Sequence, residues 1–227
     1  LTKQIEVLIF YYILTKTPTK EFERKFSIWA KEIKAIDTQE KLNAFITQNL
    51  LKDISEKEAE FKNAFLFFHE FSLQGYRLRY ILGKLTQFID QQRLGVYENQ
   101  NLDNYLTKGI EIEHILPQTP EQELRDAFGS DYDEYKAKLG NLTLLEKPQN
   151  SVAGNNYFAE KKKIYKTSKF YLTKSIAEIE TVGNNSAVNR TNKYLKTFDS
   201  WNKETIKERQ ALLLKIAKDV WQIQTMK

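Results

Sequence analysis

The apolar residues of this chain recur at helical spacing through most of its 227 positions, and only two short stretches have the pattern of strands. Ile5, Leu8, Ile9, Tyr12 and Ile13 share one helix face. Phe22, Phe26, Trp29, Ala30 and Ile33 repeat the pattern after Thr17-Pro18, which reads as a cap and first-turn proline. Leu42, Phe45 and Ile46 mark a third helix, and Ser55 with Glu58 has the form of a capping box ahead of Phe61, Ala64, Phe65 and Phe68. After Gly75 the stripe Leu78, Ile81, Leu82, Leu85, Phe88, Ile89 predicts a long helix, with Arg77, Arg79 and Lys84 on its other faces. With only 8 glycines and 4 prolines, little interrupts these elements. The expected class is mainly α, with a helical region over 1–97 and a second region over 98–227.

The texture changes after the polar stretch Glu98 to Asn104, read as a linker. Ile110 to Ile115 alternates apolar and acidic residues like a short strand, and Pro117 stops it. Two short helical patterns, Glu121 to Phe128 and Asp133 to Leu139, lead through Gly140 to a second strand, Leu142 to Leu145, ended by Pro148. A helix is expected from Asn155, capped by Asn155 or Asn156. It would carry Tyr157, Phe158, Ile164 and Tyr165 on one face and Lys161, Lys162 and Lys163 turned outward. Leu172 to Ile179 reads as helix and Val182 to Ser186 as loop. The last helix carries Ile206, Leu213, Ile216, Val220 and Ile223 between Trp201 and Trp221.

Composition narrows the chemistry. Cysteine is absent, which removes disulfides, thiolate zinc sites and cysteine nucleophiles together, and makes the cytoplasm the simplest compartment. The apolar run Val7 to Leu14 falls well short of the roughly 20 residues of a membrane span, so no membrane partner is expected. A net charge of +5 favours a polyanionic partner. The chain begins at Leu1 rather than Met, as a piece of a longer polypeptide would.

Histidine is scarce: only His69 and His114 occur. His69, in Phe67-Phe68-His69-Glu70-Phe71, reads as a structural residue of an aromatic helix. His114 follows Glu113 at the end of the alternating stretch, so the two side chains point to opposite faces unless the strand ends there, as Pro117 suggests it does. A neutral imidazole, with an unperturbed pKa of about 6.5, can take a proton from water near neutral pH. A carboxylate with an Asn carboxamide offers the oxygens that a hard divalent ion prefers. Glu-His pairs also arise in strands with no catalytic role, and the residues alone leave both readings open.

A longer pattern adds to this. Ile110 to Gln118, IEIEHILPQ, is followed by Leu139 to Leu145, LGNLTLL, and by Asn150 five residues later. Together these resemble the HNH nuclease signature of the C-terminal domain in GmrSD-type modification-dependent restriction proteins. The likeness continues through Phe158, Lys161, Lys162, Tyr165, Ser168, Trp201, Ile206, Arg209 and Trp221, and spans residues 76 to 227. The HNH domain of CRISPR effectors has a similar layout: an acidic-His pair, Ile-x-Pro-Gln, and two asparagines spaced as Asn141 and Asn150 are.

The resemblance implies a small ββα-metal finger from about Glu111 to Ser168, held between helices, that hydrolyses DNA with Mg2+ or Mn2+. His114 would be the general base, Glu113 and Asn150 the metal ligands, and Asn141 the asparagine of the catalytic constellation that ties the loop between the strands. Glu113 stands where many such nucleases carry Asp. The resemblance also implies a role in restriction or anti-phage defence, with an upstream nucleotide-using sensing domain as partner. Lys161, Lys162 and Lys163 are candidates for phosphate contacts as well as for a solvated helix face. A nuclease directed at RNA, and a DNA-binding module whose nuclease site has decayed, remain open alternatives, as does the oligomeric state.

Overall fold

A computed structural model describes residues 1–95, 101–183 and 186–222. The expected boundary between residues 97 and 98, residues 98–100 of the linker reading, residues 184 and 185 of the expected loop, and Ile223 lie outside the described residues. The chain is mainly helical and divides into two compact units, Leu1–Phe67 with Trp221, and Phe68–Val220. Among the described residues no helix is long and apolar enough to cross a membrane.

The first unit is built from α1 (Thr2–Leu14), α2 (Thr19–Ile33), α3 (Gln39–Phe45), α4 (Lys52–Glu56) and α5 (Glu58–Leu66), with a π-helical stretch over Ile46–Leu51. Leu8, Ile46, Phe61 and Phe65 are fully buried. Tyr11 stacks on Phe61 at 4.1 Å, and Phe10 stacks on Trp221. Asp53 is buried against the Tyr12 hydroxyl and the Lys25 ammonium. Two local expectations change. Pro18 caps α2 instead of entering its first turn. Ser55 lies inside α4, because the backbone runs on helically from the π-stretch, so the Ser55-Glu58 box does not form and Lys57 precedes α5 without a side-chain cap.

The second unit opens with a turn at Glu70–Ser72 and the long α6 (Gly75–Leu94), which ends at Gly95 in the left-handed conformation that glycine adopts without strain. After α7 (Asp103–Leu106) comes β1 (Ile110–His114). An excursion through α8 (Gln122–Phe128) and α9 (Tyr132–Ala137) leads to β2 (Leu142–Glu146). The strands pair antiparallel, with Ile110 opposite Glu146 and His114 opposite Leu142. α10 (Lys147–Ala153), α11 (Phe158–Tyr165), α12 (Tyr171–Lys174), α13 (Ala187–Thr191) and α14 (Lys203–Val220) follow. Ile115, Leu116, Phe128, Tyr132, Leu145, Tyr165, Trp201 and Ile206 form one apolar core beneath the strand pair.

α14 is fastened to the loop before β2. Arg209 Nη1 donates to the carbonyls of Gly140 and Leu142 at 2.8 and 2.7 Å, and Gln210 bonds the Gly140 amide and the Phe68 carbonyl. A side chain at Gly140 would place its Cβ 2.3 Å from the Ile206 carbonyl oxygen, so only glycine permits this approach.

The second unit also departs from several local expectations. Pro148 does not merely stop β2 but sits in the first turn of α10, where its missing N–H costs nothing. α11 begins at Phe158, and the pair Asn155-Asn156 does not cap it: Asn155 accepts from the Thr119 amide and Asn156 donates to the Val152 carbonyl. The helix expected over Leu172–Ile179 shrinks to the single turn of α12. His69 is not helical. The Phe68 carbonyl is taken by Leu139 N and Gln210 Nε2, and His69 itself bridges Lys138, so tertiary hydrogen bonds pull the aromatic run out of helix.

Candidate active site

β1 keeps its pairing through His114, so Pro117 does not end the strand at this pair, and Glu113 and His114 go to opposite faces. Glu113 turns toward α11, where its Oε1 accepts hydrogen bonds from Lys161 Nζ at 2.8 Å and from the Tyr165 hydroxyl at 2.7 Å. Burial pushes the Lys161 ammonium below the usual lysine range and the Tyr165 phenol well above its own. Lys161 also donates to the His114 carbonyl at 2.6 Å. It is completely buried, which corrects the expectation that the lysine run faces outward. Its neighbours differ from it and from each other. Lys162 is half-buried and donates to the Phe198 carbonyl, whereas Lys163 is exposed and pairs with Glu160.

His114 turns the other way. Its Nε2 lies 2.9 Å from Glu70 Oε2 and 3.3 Å from the side-chain amide nitrogen of Gln118. The imidazole and the Glu70 carboxylate are only 10% and 14% exposed. Glu70 was invisible to sequence reasoning, since it sits 44 positions away in a stretch that reads as helix. Its one sequence signal was adjacency to the chain's other histidine.

Asn141 is wholly buried and braces the loop that follows β1. Its Oδ1 accepts from Leu116 N at 2.6 Å and Trp201 Nε1 at 2.8 Å, and its Nδ2 donates to the carbonyls of Leu116 and Lys136. The backbone adds a bond from Ile115 N to the Asn141 carbonyl, and the Tyr132 hydroxyl holds the Pro117 carbonyl. The apolar core thus fixes the exit of the strand that carries His114.

Asn150 lies on α10. Its Nδ2 donates to Glu111 Oε2 at 2.8 Å, which orients the amide, and its Oδ1 is buried with no hydrogen-bond partner among the described residues. Glu111 and Glu113 alternate with His114 along β1 and so share the face toward α10 and α11. An unpaired buried amide oxygen costs free energy unless something accepts its lone pair, and a hard cation does so. Among the described residues both hydrogen bonds to Glu113 fall on Oε1, which leaves Oε2 without a donor from them. Among the described residues no group of three or more His, Asp or Glu is arranged to hold a metal. A cation here would therefore rest on few protein oxygens, with an amide among them. The structure does not gather the expected residues into one cluster: Glu113 and Asn150 belong to one side of β1, and His114 to the other.

Compared with known protein families, residues 55–216 match the C-terminal domain of the GmrSD restriction endonucleases. No curated protein matches the chain. The match takes in β1, β2 and α10 with every candidate residue named above, and it covers well over half of the sequence. The chain therefore belongs to the family of GmrSD restriction endonuclease C-terminal domains.

Proposed function

We propose that this domain is a divalent-cation-dependent nuclease of the HNH type, in which β1, β2 and α10 act as a ββα finger that hydrolyses DNA phosphodiester bonds. Family membership supplies the reaction class, a restriction endonuclease that acts on DNA. The observation that carries the finer reading is the orphaned Oδ1 of Asn150, anchored through its Nδ2 on Glu111 at the helix that follows the strand pair.

In this reading His114 takes a proton from water, the water oxygen attacks phosphorus in line, and the bond to the 3′ oxygen breaks. Asn141 holds the loop so that the imidazole keeps its place. Asn150 Oδ1 and the free oxygen of Glu113 would hold the ion, magnesium or manganese. Once bound, such an ion stabilises charge on the phosphate and on the departing oxygen. Lys161 already neutralises part of the Glu113 charge, which weakens the pull of that carboxylate on the ion. Membership in a restriction family supports a role in defence against foreign DNA, with recognition of modified bases supplied by a partner module.

The test is cleavage of matched DNA and RNA substrates with magnesium, with manganese and with EDTA, by wild type and His114→Ala. The expected result is DNA cleavage that EDTA abolishes and either ion restores, falling by about 10²-fold or more in the variant. Cleavage that persists in EDTA, or a His114→Ala variant within a few-fold of wild type, would overturn the reading. Preference for RNA would reassign the substrate.

A further inference from the structure

We propose that Glu70 is the positioning residue of the general base, holding His114 with its proton on Nε2 and its lone pair on Nδ1. This rests on the assignment of His114 as base. The geometry is a carboxylate oxygen 2.9 Å from a ring nitrogen, with both side chains largely withdrawn from water. An ionised carboxylate only accepts hydrogen bonds, so the ring nitrogen that faces it is the one that carries the proton. The longer 3.3 Å approach of the Gln118 amide fits the same tautomer once that amide is turned to present its oxygen, an exchange of atoms that leaves its shape unchanged. No protein hydrogen bond among the described residues engages Nδ1, which leaves that lone pair for water.

Glu70 is itself held firmly. It sits in the one-turn helix Glu70–Ser72, closed by His69 N donating to Ser72 Oγ at 3.0 Å and by Ser72 N donating to the His69 carbonyl at 2.8 Å. That turn is tied to the loop before β2 through the His69–Lys138 bridge and the bonds to the Phe68 carbonyl. The same loop carries Asn141, so base and orienting carboxylate are referred to one rigid segment. When water gives its proton to Nδ1, the imidazolium that forms keeps its Nε2 proton on Glu70, and the carboxylate stabilises the new positive charge. Two benefits follow: one tautomer is selected, and the protonated base is favoured as the attack proceeds.

The experiment uses the full chain and the variants Glu70→Gln, Glu70→Asp and Glu70→Ala, with melting curves to establish that each folds. Long-range proton–nitrogen NMR of the neutral imidazoles reads the tautomer directly, and His69→Ala assigns the two ring systems. Wild type should show His114 protonated at Nε2, and Glu70→Ala should show a mixture of tautomers. In single-substrate kinetics Glu70→Gln should lower kcat about tenfold or more with little change in KM, and Glu70→Asp should retain more of the rate. A wild-type His114 protonated at Nδ1 would overturn the proposal. So would a folded Glu70→Gln variant that cuts at the wild-type rate with its tautomer unchanged. If wild type cut no nucleic acid at all, the nuclease reading would fail on its own, while the NMR would still report whether Glu70 sets the ring.

Discussion

Lys161 and Glu113, 48 positions apart in sequence, form a buried ion pair with Nζ 2.8 Å from Oε1. The pair clamps α11 onto the end of β1 directly behind His114, whose carbonyl takes a second proton of the same ammonium. Removing one partner of such a pair leaves a charge in a dry interior, and that costs more than the pair contributes when intact. Lys161→Met should therefore lower unfolding free energy by about 3–5 kcal/mol, and adding Glu113→Gln should recover part of the loss. Denaturant titrations of the two single variants and the double variant measure this. A Lys161→Met protein as stable as wild type would mean that the ammonium is not buried.

The brace at Asn141 makes a second expectation. Asn141→Ala strands the Leu116 N–H and C=O, the Trp201 indole and the Lys136 carbonyl, so a loss of roughly 2–4 kcal/mol is expected at the ~1–3 kcal/mol scale of an unsatisfied buried group. His114→Ala should leave the melting temperature near wild type. Comparing the two by melting and by cleavage separates a residue that holds the site from one that acts in it. Equal melting temperatures for all three proteins would refute the brace.

The pH dependence of stability should carry the mark of Asp90. Burial raises its carboxyl from 3.8 to about 6, against the pull of hydrogen bonds from Tyr171 N and the Tyr105 hydroxyl, each 3.0 Å long. The folded chain holds this proton more tightly than the unfolded chain does. The stabilisation is therefore present in full below about pH 4 and is lost as pH rises through about 6. Asp90→Asn should remove a slope worth on the order of 3 kcal/mol across that window. Denaturation of both proteins at several pH values checks the sign, and a wild type that gains stability from this group on going from pH 4 to 6 would contradict it.

The three adjacent lysines should respond differently to alanine. Lys163 is 71% exposed at its side chain, and Lys163→Ala should weaken DNA binding only a few-fold and lower the salt slope by about 1. Lys162→Ala loses a bond to the Phe198 carbonyl and should show a smaller salt effect. Lys161→Ala should act through folding. Anisotropy titrations across a salt series, on variants first checked by melting, separate these outcomes, and a uniform effect of all three would show that the run acts as a single charged face.

How much could be read beforehand depended on how far apart the interacting residues lie. Both strands and the long helix over 75–94 were legible because alternation and helical spacing are local properties. Resemblance also brought Glu113, His114, Asn141 and Asn150 into view, since the motif is an ordered string. The short α10 that carries Asn150 was missed because Pro148 reads equally as a stop and as a first-turn residue.

What the amino-acid order determined by itself was the class of the fold and the strand pair, whereas the pairing of His114 with Leu142 decided that Glu113 and His114 go to opposite faces. Tertiary structure alone decided which charges are spent. It buried Lys161 against Glu113 and left Lys163 in water, although the two differ by only two positions in the same run. It also drew Glu70 out of an apparently helical aromatic segment and onto His114. The physical reason is that burial and hydrogen-bond partners are properties of pairs distant in sequence. A competing bond, such as Gln210 to the Phe68 carbonyl, overrides a local preference once the chain has closed on itself.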